Sequence, residues 1–240
     1  MNFVENPYLP EKEISLFVCD PSVNCEKGFF SYTHKDILNG INTHPDMTLC
    51  PVFSGEAFVC PESYEHYKPL ENYGVKLIKG ETSLKKAYPY DIAYNLVVLK
   101  GKLFHNLKYT DKGILKYLKK RNIEFVDVKQ GYTKCSTYIV DENSVITCDR
   151  KLQEIYEANG IEALFVDNSQ IKINGFDHGF IGGTGGKISK NEAGFFGDIT
   201  AFKDYDKIND FLSRKGITVK ILTSGPLFDY GSLIPLTTLE

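Results

Sequence analysis

The chain has 240 residues, 42% of them hydrophobic and 25% charged, a mixture that supports a sizeable buried core and excludes intrinsic disorder. Twenty-eight Lys and Arg stand against thirty-one Asp and Glu, a formal net charge of −3, so no basic excess points to a nucleic-acid partner. No apolar run approaches the roughly 20 residues that span a bilayer, and the opening MNFVENPYLPEK lacks the basic and apolar regions of a leader; the expectation is a cytoplasmic protein, one domain over residues 1–240, with no membrane partner.

In chain order, residues 14–19 read as a strand, and 20–43 receive no assignment. Residues 50–53 and 57–60 then read as a hairpin across Ser54-Gly55-Glu56, followed by a helical stretch with Ser63 as cap and Tyr67 and Leu70 inward, and a strand at 75–78. Pro69 opposes a regular helix there, because it has no N–H to donate. The same order returns at 96–99 and 103–104, then a helix capped by Asp111 with Ile114, Tyr117 and Leu118 on one face, then a strand at 123–128. It returns again at 137–140 and 145–147, with Asp149 as cap, Leu152, Ile155 and Tyr156 on the stripe, and a strand at 161–166. The fourth copy pairs 180–181 with 195–196 across the glycine-rich GGTGGKISKNEAG, then has Asp204 as cap, Ile208, Phe211 and Leu212 inward, and a strand at 217–222. Gly74, Asn122, Gly160 and Gly216 precede the four closing strands, and glycine and asparagine tolerate the left-handed backbone that ends a helix.

A strand-strand-helix-strand unit recurring every 40 to 55 residues is a repeat architecture. Residues 233–236 and 14–19 supply strands for a fifth unit split across the termini, which would close the ring without open edges. The expected fold is therefore α/β, a five-bladed pseudo-symmetric propeller of ββαβ repeats closed by the N- and C-terminal strands.

If the units align, residues four places before each first strand gather near the axis: Asp46, Asp91, Lys134, Asp177 and Asp229, with Asn95, Tyr230 and Ser232 nearby. Carboxylates crowded into a narrow space repel one another and favour a cation, and a guanidinium pairs with them bidentately. The expected partner is a small cationic metabolite, a guanidine or an amine; the alternative is that each Asp caps its own loop. Cys135, His44 and His178 stand beside the ring as candidate catalytic groups, with Lys134 placed to lower the thiol pKa and either histidine as base. The six cysteines form no C-x-x-C pair, so reduced thiols and no metal are expected, with Cys50, Cys60 and Cys148 as small buried hydrophobes. The glycine-rich segment misses the Walker pattern at Ile181 and Ile188, and no G-x-G-x-x-G joins a strand to a helix. No cofactor is expected, and the segment reads as a loop at the pocket mouth. The sequence yields no reading of oligomeric state.

The repeats, together with HPDM at residues 44–47, GYTKCS at 131–136, GFIGGTGG at 179–186 and GSLIPL at 231–236, resemble the pentein, or guanidino-group-modifying, superfamily, and within it an uncharacterised bacterial branch. The resemblance implies a polar central pocket, a His-x-Asp pair spelled here by His44-Pro45-Asp46, and an amidinotransferase-like or C–N hydrolase activity. It also implies a C-terminal cysteine nucleophile after a glycine-rich turn. This chain has Gly231-Ser232-Leu233-Ile234-Pro235 there, and neither Ile234 nor Pro235 can attack a guanidinium carbon. The expectation is a pentein-like binder of a cation without the standard cysteine hydrolase activity. The alternatives are an active hydrolase or amidinotransferase using Cys135, with Ser232 a weaker nucleophile, and a non-catalytic interaction scaffold.

Overall fold

The computed structural model describes residues 2–25 and 28–240, and its strands form five small sheets. In chain order, β1 (Asn2–Phe3), β2 (Ile14–Cys19), β3 (Phe29–Phe30) and the single turn α1 (Pro45–Thr48) precede the first complete unit. That unit is β4 (Leu49–Phe53), β5 (Glu56–Val59), α2 (Tyr64–Tyr67) and β6 (Lys76–Lys79); the second is β7 (Val97–Leu99), β8 (Lys102–His105), α3 (Lys112–Lys119) and β9 (Glu124–Asp127). The third is β10 (Thr137–Asp141), β11 (Ser144–Thr147), α4 (Arg150–Ala158) and β12 (Glu162–Phe165). The fourth is β13 (Gly185–Ser189), β14 (Glu192–Phe196), α5 (Tyr205–Ser213) and β15 (Thr218–Thr223), and β16 (Ile234–Thr238) follows it. In every complete unit the first two strands pair antiparallel, and the third returns through the helix to run parallel to the second, the direction that needs a crossover. The fifth sheet takes strands from both chain ends in the order β1-β16-β2-β3. There β16 pairs antiparallel with β2, and β2 pairs parallel with β3, repeating the unit's pairing pattern. The architecture is the five-unit α/β fold expected from the repeats.

Local chemistry sets the helix ends. The Asp111 side chain accepts from Ile114 N, and Asp149 accepts from Lys151 N and Leu152 N, satisfying donors that the first turn leaves free. Gly74, Asn122, Gly160 and Gly216 all have φ between 58° and 82°, so all four helical segments end in the left-handed turn expected of them. Ile114 and Leu118, then Leu152 and Tyr156, then Ile208, Phe211 and Leu212, are buried, while Tyr117 and Ile155 are half-buried at the stripe's edge. Packing lies mainly between units: one cluster joins Cys50 and Phe58 to Leu96 and Leu103, and another joins Tyr138 and Ile146 to Phe195 and Phe211.

Three expectations need correction, and a fourth, that Pro69 opposes a regular helix, holds. Asp204 makes no cap bond; its carboxylate instead accepts from Asp167 N and pairs with Lys207, tying the helix to the preceding loop. Ser63 does not cap either, because its hydroxyl bonds back to Cys60 O. Pro69 lies within a 3-10 segment, Lys68–Tyr73, that continues from α2, so the missing donor shortens the α-helix to a single turn. The glycine-rich stretch is not a long loop: it forms β13, hairpinned to β14 across Lys190-Asn191. A Cβ at Gly185 would stand 2.0 Å from Gly194 O, and one at Gly186 would stand 2.5 Å from Leu233 O. The glycines serve close strand approach rather than flexibility. Lys187, which follows them, donates to Lys190 O within the same hairpin.

His105, at the end of β8, is wholly buried between Thr110 Oγ1 at 2.7 Å and Gly131 O at 3.0 Å. Burial pushes its pKa down to about 4 from the 6.5 of an exposed imidazole. The unfolded chain therefore takes up the proton first, and the stability from the neutral ring, complete above pH 6.5, is lost as pH falls toward 4. A unit of pKa shift is about 1.4 kcal/mol, so the loss amounts to roughly 3 kcal/mol. Urea titrations at pH 7 and pH 4.5 are expected to show this fall for the wild type and a smaller one for His105→Gln.

Candidate functional site

Residues preceding the first strand of each unit converge at the centre. Asp46, Lys134 and Gly182 stand three residues ahead of β4, β10 and β13, and Asn95 and Ser232 two ahead of β7 and β16. They form a hydrogen-bonded circuit with one member from each of the five units. Asn95 Nδ2 donates to Asp46 O at 3.3 Å, and Asn95 Oδ1 accepts from Lys134 N at 2.9 Å and Cys135 N at 3.1 Å. Lys134 Nζ reaches Gly182 O at 3.2 Å and Ser232 Oγ at 2.8 Å, and Ser232 Oγ lies 2.6 Å from Asp46 Oδ2. Ser232 holds the left-handed φ of 78°, a conformation costly for a residue with a Cβ, and the contacts of its hydroxyl with Lys134 Nζ, Asp46 Oδ2 and Gly182 O hold it there. The ring of Tyr8 lies 4.8 Å from the Lys134 ammonium.

A cavity of about 260 Å³ opens beside this circuit, lined by Cys135, His44, Asp229, Met47, Ile41, Ile173, Tyr132 and Phe180, with Phe176, Asp177 and His178 at its exposed rim. Cys135 Sγ donates to Asp46 Oδ2 at 3.2 Å and accepts from Asn95 Nδ2 at 3.0 Å. His44 Nδ1 is 3.7 Å from Asp229 Oδ1. Asp229 is fixed by Phe180 N at 2.8 Å and Gly231 N at 3.0 Å. The backbone closes tightly over these groups: a Cβ at Gly183 would fall 1.8 Å from Asp229 Oδ1, and one at Gly231, where φ is 75°, would fall 2.1 Å from His44 Cβ. Only glycine permits that approach.

Burial dominates the electrostatics. It raises the carboxyl pKa of Asp46 against the opposing pull of Lys134, His44 and Ser232. It raises that of Asp229 against His44 and two backbone N–H groups, and it lowers that of the Lys134 ammonium against the attraction of Asp46. The Cys135 thiol is pushed well up, first by burial and then by the negative charges of Asp46 and Asp229. His44 Nδ1 and Asp46 Oδ1 are buried without a hydrogen-bond partner, a costly state. The site is thus short of positive charge and of donors.

The structure gathers Asp46, Asn95, Lys134 and Ser232 in the circuit and Cys135, His44 and Asp229 at the cavity floor. The single acidic ring expected from the sequence is replaced by three levels. Asp91 lies behind the cavity wall, accepting from Tyr132 Oη at 2.6 Å. Asp177 is exposed at the rim, because the first strand of its unit starts at Gly185 rather than at residue 180. His178 shares that rim and accepts from Asn168 Nδ2 at 2.8 Å. Tyr230 stacks on Phe228 with ring centres 4.3 Å apart and does not line the cavity. Gly182, Tyr8, Tyr132 and Phe180 were missed. The spacing to β13 would have found Gly182 once that strand was placed, whereas the aromatic groups carry no motif.

His44, Asp46 and Cys135 offer ligand-type atoms within 4.8 Å of one another, as do His34, Cys60 and Glu62. In the first group Lys134 already lends Asp46 positive charge; in the second, Asp36 N donates to His34 Nδ1 and leaves the proton on Nε2, facing Glu62. All six cysteines are free, and no helix among the described residues is long and apolar enough to cross a membrane.

Comparison with solved structures shows the fold. The inosamine-phosphate amidinotransferase StrB1 of Streptomyces griseus superposes with a TM-score of 0.52, at 11% identity over 82% of this chain and 68% of its own. SxtG, an amidinotransferase from Microseira wollei in saxitoxin biosynthesis, covers 90% of this chain and 91% of its own at 11% identity and a TM-score of 0.49. The agmatine deiminase of C. jejuni covers 77% and 69% at 10% identity and 0.48. The chain thus has the fold of StrB1. No curated protein matches it. A family model described as a family of unknown function (DUF6873) matches residues 26–234.

Proposed function

Because the chain belongs to the DUF6873 family, whose function is unknown, we propose a reading from the cavity itself: it binds a small guanidine or amidine cation, and Cys135 attacks the central carbon. The observation that carries this reading is that the Cys135 thiol, the His44 imidazole and the Asp229 carboxylate line one small cavity. At about 260 Å³ it falls just below the range of drug-sized pockets, which suits a metabolite. A cation seated there meets Asp229 and the field of Asp46, relieving the charge shortage left by burial. Its charge also favours the thiolate, so the nucleophile forms when substrate is present.

The chemistry balances with water alone. The thiol proton, directed at Asp46 in the free protein, passes to His44, whose ring nitrogen lies within 4.8 Å of the sulfur, and sulfur adds to the guanidinium carbon. Ammonia leaves, carrying a proton from His44, and a thiouronium bound to Cys135 remains. Water then adds to that carbon, the C–S bond breaks, and a urea-type product and the thiol are released. An amine in place of water would make the reaction an amidino transfer. The two cavity residues that differ most from a plain binding site, Cys135 and His44, are the ones these steps use.

Binding without turnover is the second reading. It is favoured by the raised thiol pKa and by the absence of any cysteine after Cys148. A coupled assay for ammonia release over simple alkylguanidines and amidines, run beside melting-temperature measurements, tests both. Turnover supports the first reading, and a melting shift without ammonia supports the second. Neither signal at millimolar ligand would overturn both.

A further inference from the structure

Cys19 and Cys25 lie together, away from the central cavity. Cys19 closes β2 with no exposed surface, and its carbonyl accepts from Ser31 N at 2.8 Å. Cys25 lies in the loop that follows, where its carbonyl accepts from Gly28 N at 3.2 Å. The loop returns over the strand end, and the two thiols are hydrogen-bonded to each other. A Cβ at Gly28 would stand 2.8 Å from Cys25 Cβ and 2.9 Å from Cys19 Sγ, so the pair meets against a glycine that leaves room for it. The sulfurs differ in access. Cys25 is half-buried and lines a cavity of about 430 Å³ between β2 and the fourth unit, walled by Phe17, Ile188 and Leu222; Cys19 does not line it. They also differ in acidity: the hydrogen bond from Cys19 lowers the Cys25 pKa against the effect of burial, and the same bond, with burial, raises that of Cys19. Burial raises the pKa of Cys50, Cys60, Cys135 and Cys148.

We propose that Cys19 and Cys25 form a redox-active dithiol, oxidised reversibly by a low-molecular-weight disulfide that reaches Cys25 from this cavity, with Cys25 the attacking sulfur and Cys19 the resolving one. The nucleophile in such exchange is an accessible thiolate, which is the part Cys25 can play and Cys19 cannot. The Cys25 thiol gives its proton to solvent, and its sulfur attacks one sulfur of the reagent. The reagent's S–S bond breaks, one thiolate leaves and takes up a proton, and a mixed disulfide remains on Cys25. Bonded in this way, Cys25 no longer carries the negative charge that opposes ionisation of Cys19. Cys19 then loses its proton and attacks Cys25 Sγ, the mixed S–S bond breaks, and the second reagent thiolate leaves and is protonated. Two protein thiols are oxidised to one disulfide, and one reagent disulfide is reduced to two thiols. A small dithiol runs the same steps backwards. The inference is independent of what the cavity beside Cys135 binds.

The tryptic peptide 13–27 contains both cysteines and no other, which makes the test direct. The reduced protein is exposed to excess oxidised glutathione at neutral pH, quenched in acid, denatured and alkylated. It is expected to lose two of its six free thiols, both from this peptide, which should appear two hydrogens lighter. Dithiothreitol should restore them. Cys19→Ser should stop at a stable glutathione adduct on Cys25, and Cys25→Ser should leave Cys19 free over the same interval. Retention of all six thiols, loss of thiols from other peptides only, or a glutathione adduct that persists on Cys25 of the wild type overturns the dithiol. So does modification of Cys19 in Cys25→Ser as fast as that of Cys25 in Cys19→Ser, because the assigned roles then fail. The wild-type peptide carries the test by itself if either variant does not fold.

Discussion

Cys135→Ser is expected to abolish ammonia release, by at least about a thousandfold, with little change in melting temperature. The hydroxyl of serine is far less acidic and its oxygen a far weaker nucleophile than the sulfur of cysteine, and removal of a covalent nucleophile typically costs several orders of magnitude. The replacement keeps a donor toward Asp46 and an acceptor toward Asn95, so the floor of the cavity should stay intact. Alkylation gives an independent check. With the thiol pKa raised, neutral iodoacetamide should react slowly at pH 7.5 and faster as pH rises. A cationic haloacetamidine brings its own charge to Asp229 and should react faster at the same pH. Equal rates for the two reagents, or turnover retained in Cys135→Ser, would remove Cys135 from the chemistry.

Lys134→Met should lower stability by about 3–5 kcal/mol, the usual consequence of stripping a buried charge of its partner. Asp46 would lose its largest source of positive charge, and Gly182 O and Ser232 Oγ would lose a donor. For a chain of this length the melting temperature should drop by roughly 10 °C. The circuit ties the five units together, so thermal unfolding should also broaden. A drop below about 2 °C would show that the ammonium is not what holds the centre. Asp46→Asn in the same background separates charge from packing. If the unpaired carboxylate is the cause, the double variant should recover part of the loss.

The repeats were legible because each unit repeats its local instructions. Asp111 and Asp149 cap, Gly74, Asn122, Gly160 and Gly216 end the helices, and apolar stripes at helical spacing mark the buried faces. Those signals act over a few residues, and most of them hold in the structure. The misplacements arise where a group finds a partner other than the one its local spacing suggests. Asp204 and Ser63 have capping chemistry but spend it on Asp167 N and Cys60 O. Gly185 and Gly186 look like loop glycines, but are strand residues lying against Gly194 and Leu233.

The sequence by itself determined the unit and the number of copies, since these depend on spacing along the chain. Only the tertiary structure decided which groups meet. The later start of β13, at Gly185 rather than residue 180, sends Asp177 to the rim and leaves Gly182 to close the circuit. Cys135 and His44, 91 positions apart in the chain, share a cavity because their units pack about one centre. Burial then sets their charge, and burial is a property of the assembled fold that no local run of residues encodes.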